Sequence, residues 1–339
     1  MLTFNNWSQF LKIVEYGGAA VAVVLNSILL ILIVYRSPKN LGAYKYLMVY
    51  ISVFEIVYSI MDAIVEPNIF SSGPSFMVFR FFKHSSYGRN SGFYLVVLYC
   101  ASFGLCVALF GIHFIYRYGA VDNVFRKKYL TGRKLIALFL IPIGFLVWWS
   151  AVCIVLFRPS TQSDSVMRIP LLVGFDTRIE DVSYLIVHFH VADKHGEFHP
   201  NWLIFFGMSN MWCMIASSFF CIIYFGIKCY VKLTQSLKKS KIPSYYIKSI
   251  QQQLFQALLM QTLIPVVLMY APIGVLFFFP MFNIEVGFIS SFVTATIAIY
   301  PAVDPLPTMF IIKSYRKALL CCFDRKPKKR AIEAIELQS

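Results

Sequence analysis

Between residues 44 and 66, in "YKYLMVYISVFEIVYSIMDAIVE", Glu55, Ser59 and Asp62 recur at intervals of four and three inside an otherwise apolar run. That spacing puts all three on one face of a helix. Carboxylates in such a setting must turn toward a partner or a hydrated cavity. Two chemistries fit: a binding or ion site reached from one end, with Asp62 nearer the mouth, or a hydrogen-bonded structural cluster. A further acid, Asp304, lies in "YPAVDPLPTMF" between Pro301 and Pro305. Interior prolines remove backbone hydrogen bonds and clash with the preceding turn, so a kinked helix carrying a carboxylate at its hinge is expected. Pro265 and Pro272 break the preceding apolar stretch as well. Two adjacent kinked helices around a polar cavity are a stronger sign than either proline alone. Arg117 closes another apolar stretch in "GIHFIYRYGAV", where its stem can stay in an oily phase while the guanidinium snorkels to water and phosphate.

Four of the six histidines, His188, His190, His195 and His199, cluster in "HFHVADKHGEFH" with Asp193 and Glu197. A zinc or copper site is one reading, but loop spacing is unconstrained and no cysteine assists, so a solvated loop is expected and no metal or other cofactor is assigned. The alternation in "YLIVHF" before "ADKHGE" predicts a β-hairpin lid. No P-loop, GxSxG or HExxH motif occurs, and the expectation is that the chain is not an enzyme.

The elements that must position these residues follow from composition. Of 339 residues 58% are hydrophobic and only 14% charged, with 33 Phe, 20 Tyr and a mean hydropathy of +0.67. A water-soluble domain could not hide that much apolar surface. Stretches close to the length that crosses a bilayer fall at about 13–35, 44–66, 92–116, 135–157, 202–227, 254–279 and 286–312. The expected fold is an all-α membrane protein, a bundle of seven transmembrane helices in a domain from 13 to 316, flanked by an outer tail (1–12) and a basic cytoplasmic tail (317–339). No repeat relates the spans, which weakens a transporter reading.

Lysine and arginine in short loops stay cytoplasmic. With the N-terminus outside, 23 of the 31 basic residues fall on the inner side and 8 on the outer. This asymmetry points to anionic membrane lipid and an acidic cytoplasmic partner and away from nucleic acid. It also disfavours a ligand-gated channel with its N-terminus inside. Asn6, in "NWS", is a glycosylation sequon on the expected outer tail. Cys321 and Cys322 follow "KSYRKALL", where Tyr315, Leu319 and Cys322 recur at helical spacing beside basic residues. A short helix on the inner leaflet is expected there, with palmitoylation of the two cysteines as one reading.

The motifs "YRSPKNLGAYKYLMVYISVFEIVY", "HFIYRY", "QLFQALLMQTLIPVVLMYAPIGV" and "YPAVDPL", in that order, resemble the nematode Str family of seven-transmembrane chemosensory receptors over about residues 12–316. The resemblance implies a G-protein-coupled receptor in the plasma membrane of sensory cilia, whose partners are a small-molecule odorant and a heterotrimeric G-protein; dimerisation stays open. "YRY" then stands where rhodopsin-like receptors keep an acid-arginine-aromatic triplet. Tyr116 replaces the acid, so Arg117 must rest against another acceptor, Asp304 or Asp122, or be held by packing. His113, Tyr116, Arg117, Tyr118, Pro301, Asp304 and Pro305 are the expected coupling and switch residues, with simple interfacial anchoring the alternative for Arg117. By depth alone, Asp62, Tyr99, Phe103, Trp148, Met208, Trp212 and Tyr270 are the candidate ligand-pocket residues.

Overall fold

The computed structural model describes residues 4–37, 44–82, 88–192, 197–238 and 242–323. Long apolar runs become helices because a helix satisfies every backbone donor and acceptor within itself, as a lipid setting requires. In chain order come α1 (Phe4–Arg36), α2 (Tyr44–Val65), β1 (Asn68–Ser72), β2 (Ser75–Phe81), α3 (Arg89–Val121), α4 (Asn123–Tyr129), α5 (Arg133–Leu156) and α6 (Thr161–Phe175). They are followed by β3 (Val182–His188), β4 (His190–Ala192), β5 (Phe198–Pro200), α7 (Trp202–Lys238), α8 (Ile242–Pro265), a π-helical turn (Val266–Tyr270), α9 (Ala271–Phe278), α10 (Ser291–Val303), α11 (Pro305–Ile311) and α12 (Lys313–Phe323). Among the described residues six helices are long and apolar enough to cross a membrane, and seven if the bent pair 291–311 and 313–320 counts as one span.

Helix α1 starts at Phe4, so most of the segment expected as a tail is helical and Asn6 lies in its first turn. The expected breaks appear, each with its own form. After Pro265 the sixth span winds through the π turn before α9 resumes. The seventh span breaks at Asp304, with Pro305 opening α11. A 97° bend then sends α12 away from the bundle axis, which gives the expected short terminal helix.

α3 is the central helix, buried along most of its length. Close packing needs small residues where backbones meet. A Cβ on Gly18 of α1 would lie 2.8 Å from the backbone oxygen of Ala298 on α10, whereas one on Gly17 would meet open space. Gly18→Val is therefore expected to force α1 off α10 at a cost of roughly 1–3 kcal/mol and to lower the amount of folded protein at the cell surface, with Gly17→Val unchanged. Equal surface staining for the two variants would remove this glycine from the helix contact.

The expected hairpin is present in part: β4 pairs antiparallel with β5, from His190 opposite Pro200 to Ala192 opposite Phe198, but "YLIVHF" lies outside that pair. That segment forms β3, but it pairs antiparallel with β2 from the loop before α3, in register from Ser75 opposite His188 to Phe81 opposite Val182. β1 completes a three-stranded sheet through a two-residue turn in which Gly73 takes φ +51°. Both faces are apolar. Phe76, Val78, Leu185 and Val187 share one face, turned to the bundle. Met77, Phe79, Tyr184 and Ile186 share the other, packed under Met167, Leu171 and Phe175 of α6. A sheet buried on both sides reads as a near-continuous apolar run, which "SFMVFRF" does apart from Ser75 and Arg80. α6 is fixed by a capping box between Ser160 and Ser163. Tyr184 donates to Asp164 of α6, and burial pushes its hydroxyl pKa well above the ordinary tyrosine range.

Candidate functional site

Beneath the sheet lies a narrow apolar cavity of about 60 Å³, lined by Tyr58, Ile69, Val78, Tyr99, Cys100, Phe103, Trp149, Ile273, Leu276, Phe277 and Ile297. A second lobe shares Val78, Cys100, Trp149 and Phe277 with it and reaches Met208 and Met211 of α7. A lining that is mostly apolar with a few polar groups is of the kind that suits small molecules, and the space must widen as one enters. Tyr58 and Tyr99 stack at 5.6 Å, and Asp62, 2% exposed, stands beside both. Phe103 meets Trp149 and Tyr270 edge-on at 5.3 and 5.5 Å.

Of the expected pocket residues, Tyr99, Phe103 and Met208 line this space, and Asp62 neighbours Tyr58 and Tyr99 of its lining. Tyr270 and Trp212 lie one layer out, in a groove between α7 and the π turn. Trp148 is corrected by the structure: it is 55% exposed on the outer surface of α5, and its neighbour Trp149, 2% exposed, is the tryptophan inside. α5 is apolar on every side, so its sequence carries no face to choose between adjacent tryptophans. Trp149 does have a place made for it, since its ring lies where a Cβ on Gly104 of α3 would stand, 2.8 Å from Cε3.

Below the cavity is a buried polar core. Glu55 lies within hydrogen-bonding reach of Asp304 and Asn26 and accepts from the Tyr300 hydroxyl at 3.4 Å. Gln261 of α8 donates to Asp304 Oδ2 at 3.0 Å, and Asn26 donates to the Pro301 carbonyl at 3.0 Å. The Pro301 carbonyl, whose partner one turn on is Pro305 with no N–H to donate, is thus given a side-chain donor. The Glu55, Ser59 and Asp62 face is turned inward as its spacing requires, but Glu55 joins the core while Asp62 stands beside Tyr58 and Tyr99.

At the far end from the sheet, Arg117 is only 1% exposed. The snorkelling geometry expected for it is overturned. Its Nη2 donates to the backbone carbonyl of Gln251 on α8 at 2.6 Å, and its guanidinium lies 5.0 Å from the centre of the Tyr44 ring. Neither expected acid holds it. Asp304 takes Gln261, and Asp122 caps α4 at Phe125 N (2.9 Å), accepts from Tyr118 at 3.1 Å and pairs with Lys232 of α7. The Lys232 ammonium and the Phe125 amide pull the Asp122 pKa down to about 2. Tyr116 stacks on Tyr44 at 5.7 Å and His113 meets the same ring edge-on at 5.9 Å. Tyr44 is therefore the shared platform of the "HFIYRY" stretch, and spacing within one helix could not reveal it.

Of the loop histidines, His188 bonds the Ser75 hydroxyl at 2.5 Å, with its pKa lowered by burial and by nearby His190, and His190 lies edge-on to Phe205. His199 is in β5, and His195 lies outside the described residues. Among the described residues no group of three His, Cys, Asp or Glu is placed to hold a metal ion. Cys321 and Cys322 belong to α12, and the basic stretch beyond it lies outside the described residues.

A family profile described as serpentine type 7TM GPCR chemoreceptor Str matches residues 11–320. Among curated proteins, "G-protein coupled receptor str-217" of Caenorhabditis elegans is 32% identical over 312 residues, covering 91% of this chain and 89% of the relative. "Serpentine receptor class r-10" of the same species is 29% identical over 317 residues, 92% of this chain and 91% of the relative. "G-protein coupled receptor str-33" is 24% identical over 321 residues, 94% and 92%.

Proposed function

Because the chain belongs to the Str family of serpentine seven-transmembrane GPCR chemoreceptors, we propose that it binds a small apolar odorant under the sheet and reports that binding to a heterotrimeric G-protein at the Arg117 end. The observation that carries this reading is the link from Arg117 on α3 to the Gln251 carbonyl on α8, at the end of the bundle where basic residues gather. A backbone carbonyl is a neutral acceptor, so this link costs less to break than an ion pair would. Moving α8 outward would release the guanidinium to a partner's acceptors. A ligand drives such a shift only through its higher affinity for the open arrangement. The π turn and the Asp304 break lie between cavity and link, and they are the places where α8, α9 and α10 can change their relative tilt at small backbone cost.

The sheet end then faces outside and α12 lies along the inner leaflet, in accord with 23 basic residues against 8. A sensory-cilium location, glycosylation at Asn6 and acylation at Cys321 and Cys322 belong to the same reading. An epitope placed before Met1 should stain on intact cells and one placed after Ser339 only once cells are permeabilised; the reverse pattern would sink the reading. Calcium imaging of cells expressing the chain with a promiscuous G-protein, against a panel of volatile compounds, should then find an agonist.

A further inference from the structure

On the side where an aqueous ligand would arrive, the cavity is roofed by the sheet. Phe76, Val78, Leu185 and Val187 form its ceiling, and α6 packs over the other face of the same strands. The flank offers a second approach. A groove between α7 and the π turn is lined by Phe103, Trp212, Phe219, Tyr270, Gly274 and Phe277 with their aliphatic neighbours. Around it the exposed surface of the spans is apolar, with Phe220, Ile223, Leu263, Val267 and Val275 all open, so it faces the acyl chains of a bilayer. Groove and cavity share Phe103, Ile273 and Phe277. One layer of side chains separates them.

We propose that this groove is an entrance through which a small apolar ligand passes sideways from the bilayer into the cavity, with the Phe103 and Phe277 rings as its door. This rests on the receptor reading and specifies the ligand's class and route: a molecule that dissolves in acyl chains, where the hydrophobic effect concentrates it, and that carries little polar surface. The π turn widens the helix where the groove runs, and Gly274 presents no side chain into it; a Cβ there would meet nothing within 4 Å. Phe103 is held edge-on by Trp149 on the cavity side and Tyr270 on the groove side, so a change in ring angle opens the wall without moving a helix.

The test needs no agonist. Membranes holding the full chain are mixed with 3-trifluoromethyl-3-phenyldiazirine, an apolar photoreactive probe of odorant size, flashed after a brief exposure and digested for mass spectrometry. Wild type should carry label at Cys100 and Trp149 in the cavity, at Ala216 and Phe219 in the groove, and at lipid-facing Val155. Gly274→Trp should plug the groove and slow cavity labelling about tenfold or more, while Val155 keeps its label and Gly274→Ala behaves as wild type. Ala216→Trp, from the opposite wall, should do the same, which guards against a folding defect in one variant. Cavity label that is absent in wild type, or that survives both tryptophans undiminished, would overturn the entrance. Neither result touches the coupling reading, since labelling involves no G-protein; conversely, failure to signal would leave the entrance standing.

Discussion

Arg117→Ala is expected to reduce the agonist response per surface receptor by about tenfold or more, in the range of coupling energies of roughly 1–3 kcal/mol, while ligand binding in the cavity is retained. The guanidinium lies at the opposite end of α3 from Tyr99 and Phe103, so its removal does not reshape the pocket. Arg117→Lys should recover only part of the response. An ammonium can still reach the Gln251 carbonyl, but it loses the planar face that lies over Tyr44 and the fork that can serve several acceptors at once. Tyr44→Leu leaves Arg117 present but takes away its platform, so it should raise the response without agonist. Agonist response normalised to surface receptor, measured for all three, separates this from a packing role. Full response in Arg117→Ala, or a lysine variant equal to wild type, would leave the arginine as a structural residue.

The seven-helix pattern, the proline breaks and the terminal helix could be read from the chain because each depends on local chemistry: run length, a missing N–H, and apolar spacing beside basic residues. What escaped depends on partners remote in sequence. β2 and β3 lie about a hundred residues apart, so "YLIVHF" shows that a strand exists but not that its mate precedes α3. Register between strands on different loops is set by apolar faces that meet only after folding. Trp149 in place of Trp148 was hidden by a helix with no polar face, and Gly104 opposite, the residue that makes room, is one glycine among seventeen. For Arg117 the sequence offers Asp304 and Asp122 as acceptors, with packing as the alternative, because carboxylates are visible in a sequence. Its actual acceptor is a main-chain carbonyl, which every residue carries and none advertises. Conversely, the inward turn of Glu55, Ser59 and Asp62 was fully legible, because lipid leaves a polar face only one direction to point.

Glu55 and Asp304 supply the other large effect, and here stability and signalling should move in opposite directions. The two carboxyl groups lie within hydrogen-bonding reach of each other, 1% and 0% exposed, and among the described residues neither forms an ion pair. Burying acid groups without a cation is costly, because the charged form loses its hydration and gains no opposite charge, and a neutral group of the same shape avoids that cost. Asp304→Asn keeps an oxygen to accept from Gln261 and relieves the crowding of two acids, so the thermal midpoint in detergent should rise by several degrees. The arrangement that gains is the closed one, in which Gln261 holds α8 to the break in the seventh span and Arg117 holds the same helix to α3. Deepening that well leaves the differential affinity of the ligand unchanged, so more ligand is needed to empty it. Basal signalling should fall and the agonist concentration for half response should rise. Gln261→Leu deletes the donor and leaves the acid, and should have the opposite sign on both: a lower midpoint and a higher basal signal. Thermal unfolding followed with a thiol-reactive dye and dose-response curves on the same four proteins, wild type, Asp304→Asn, Glu55→Gln and Gln261→Leu, decide the matter. If both acid variants melt lower than wild type, the carboxyl pair is holding the bundle shut through its own hydrogen bonds, and the tension assigned to it here is wrong.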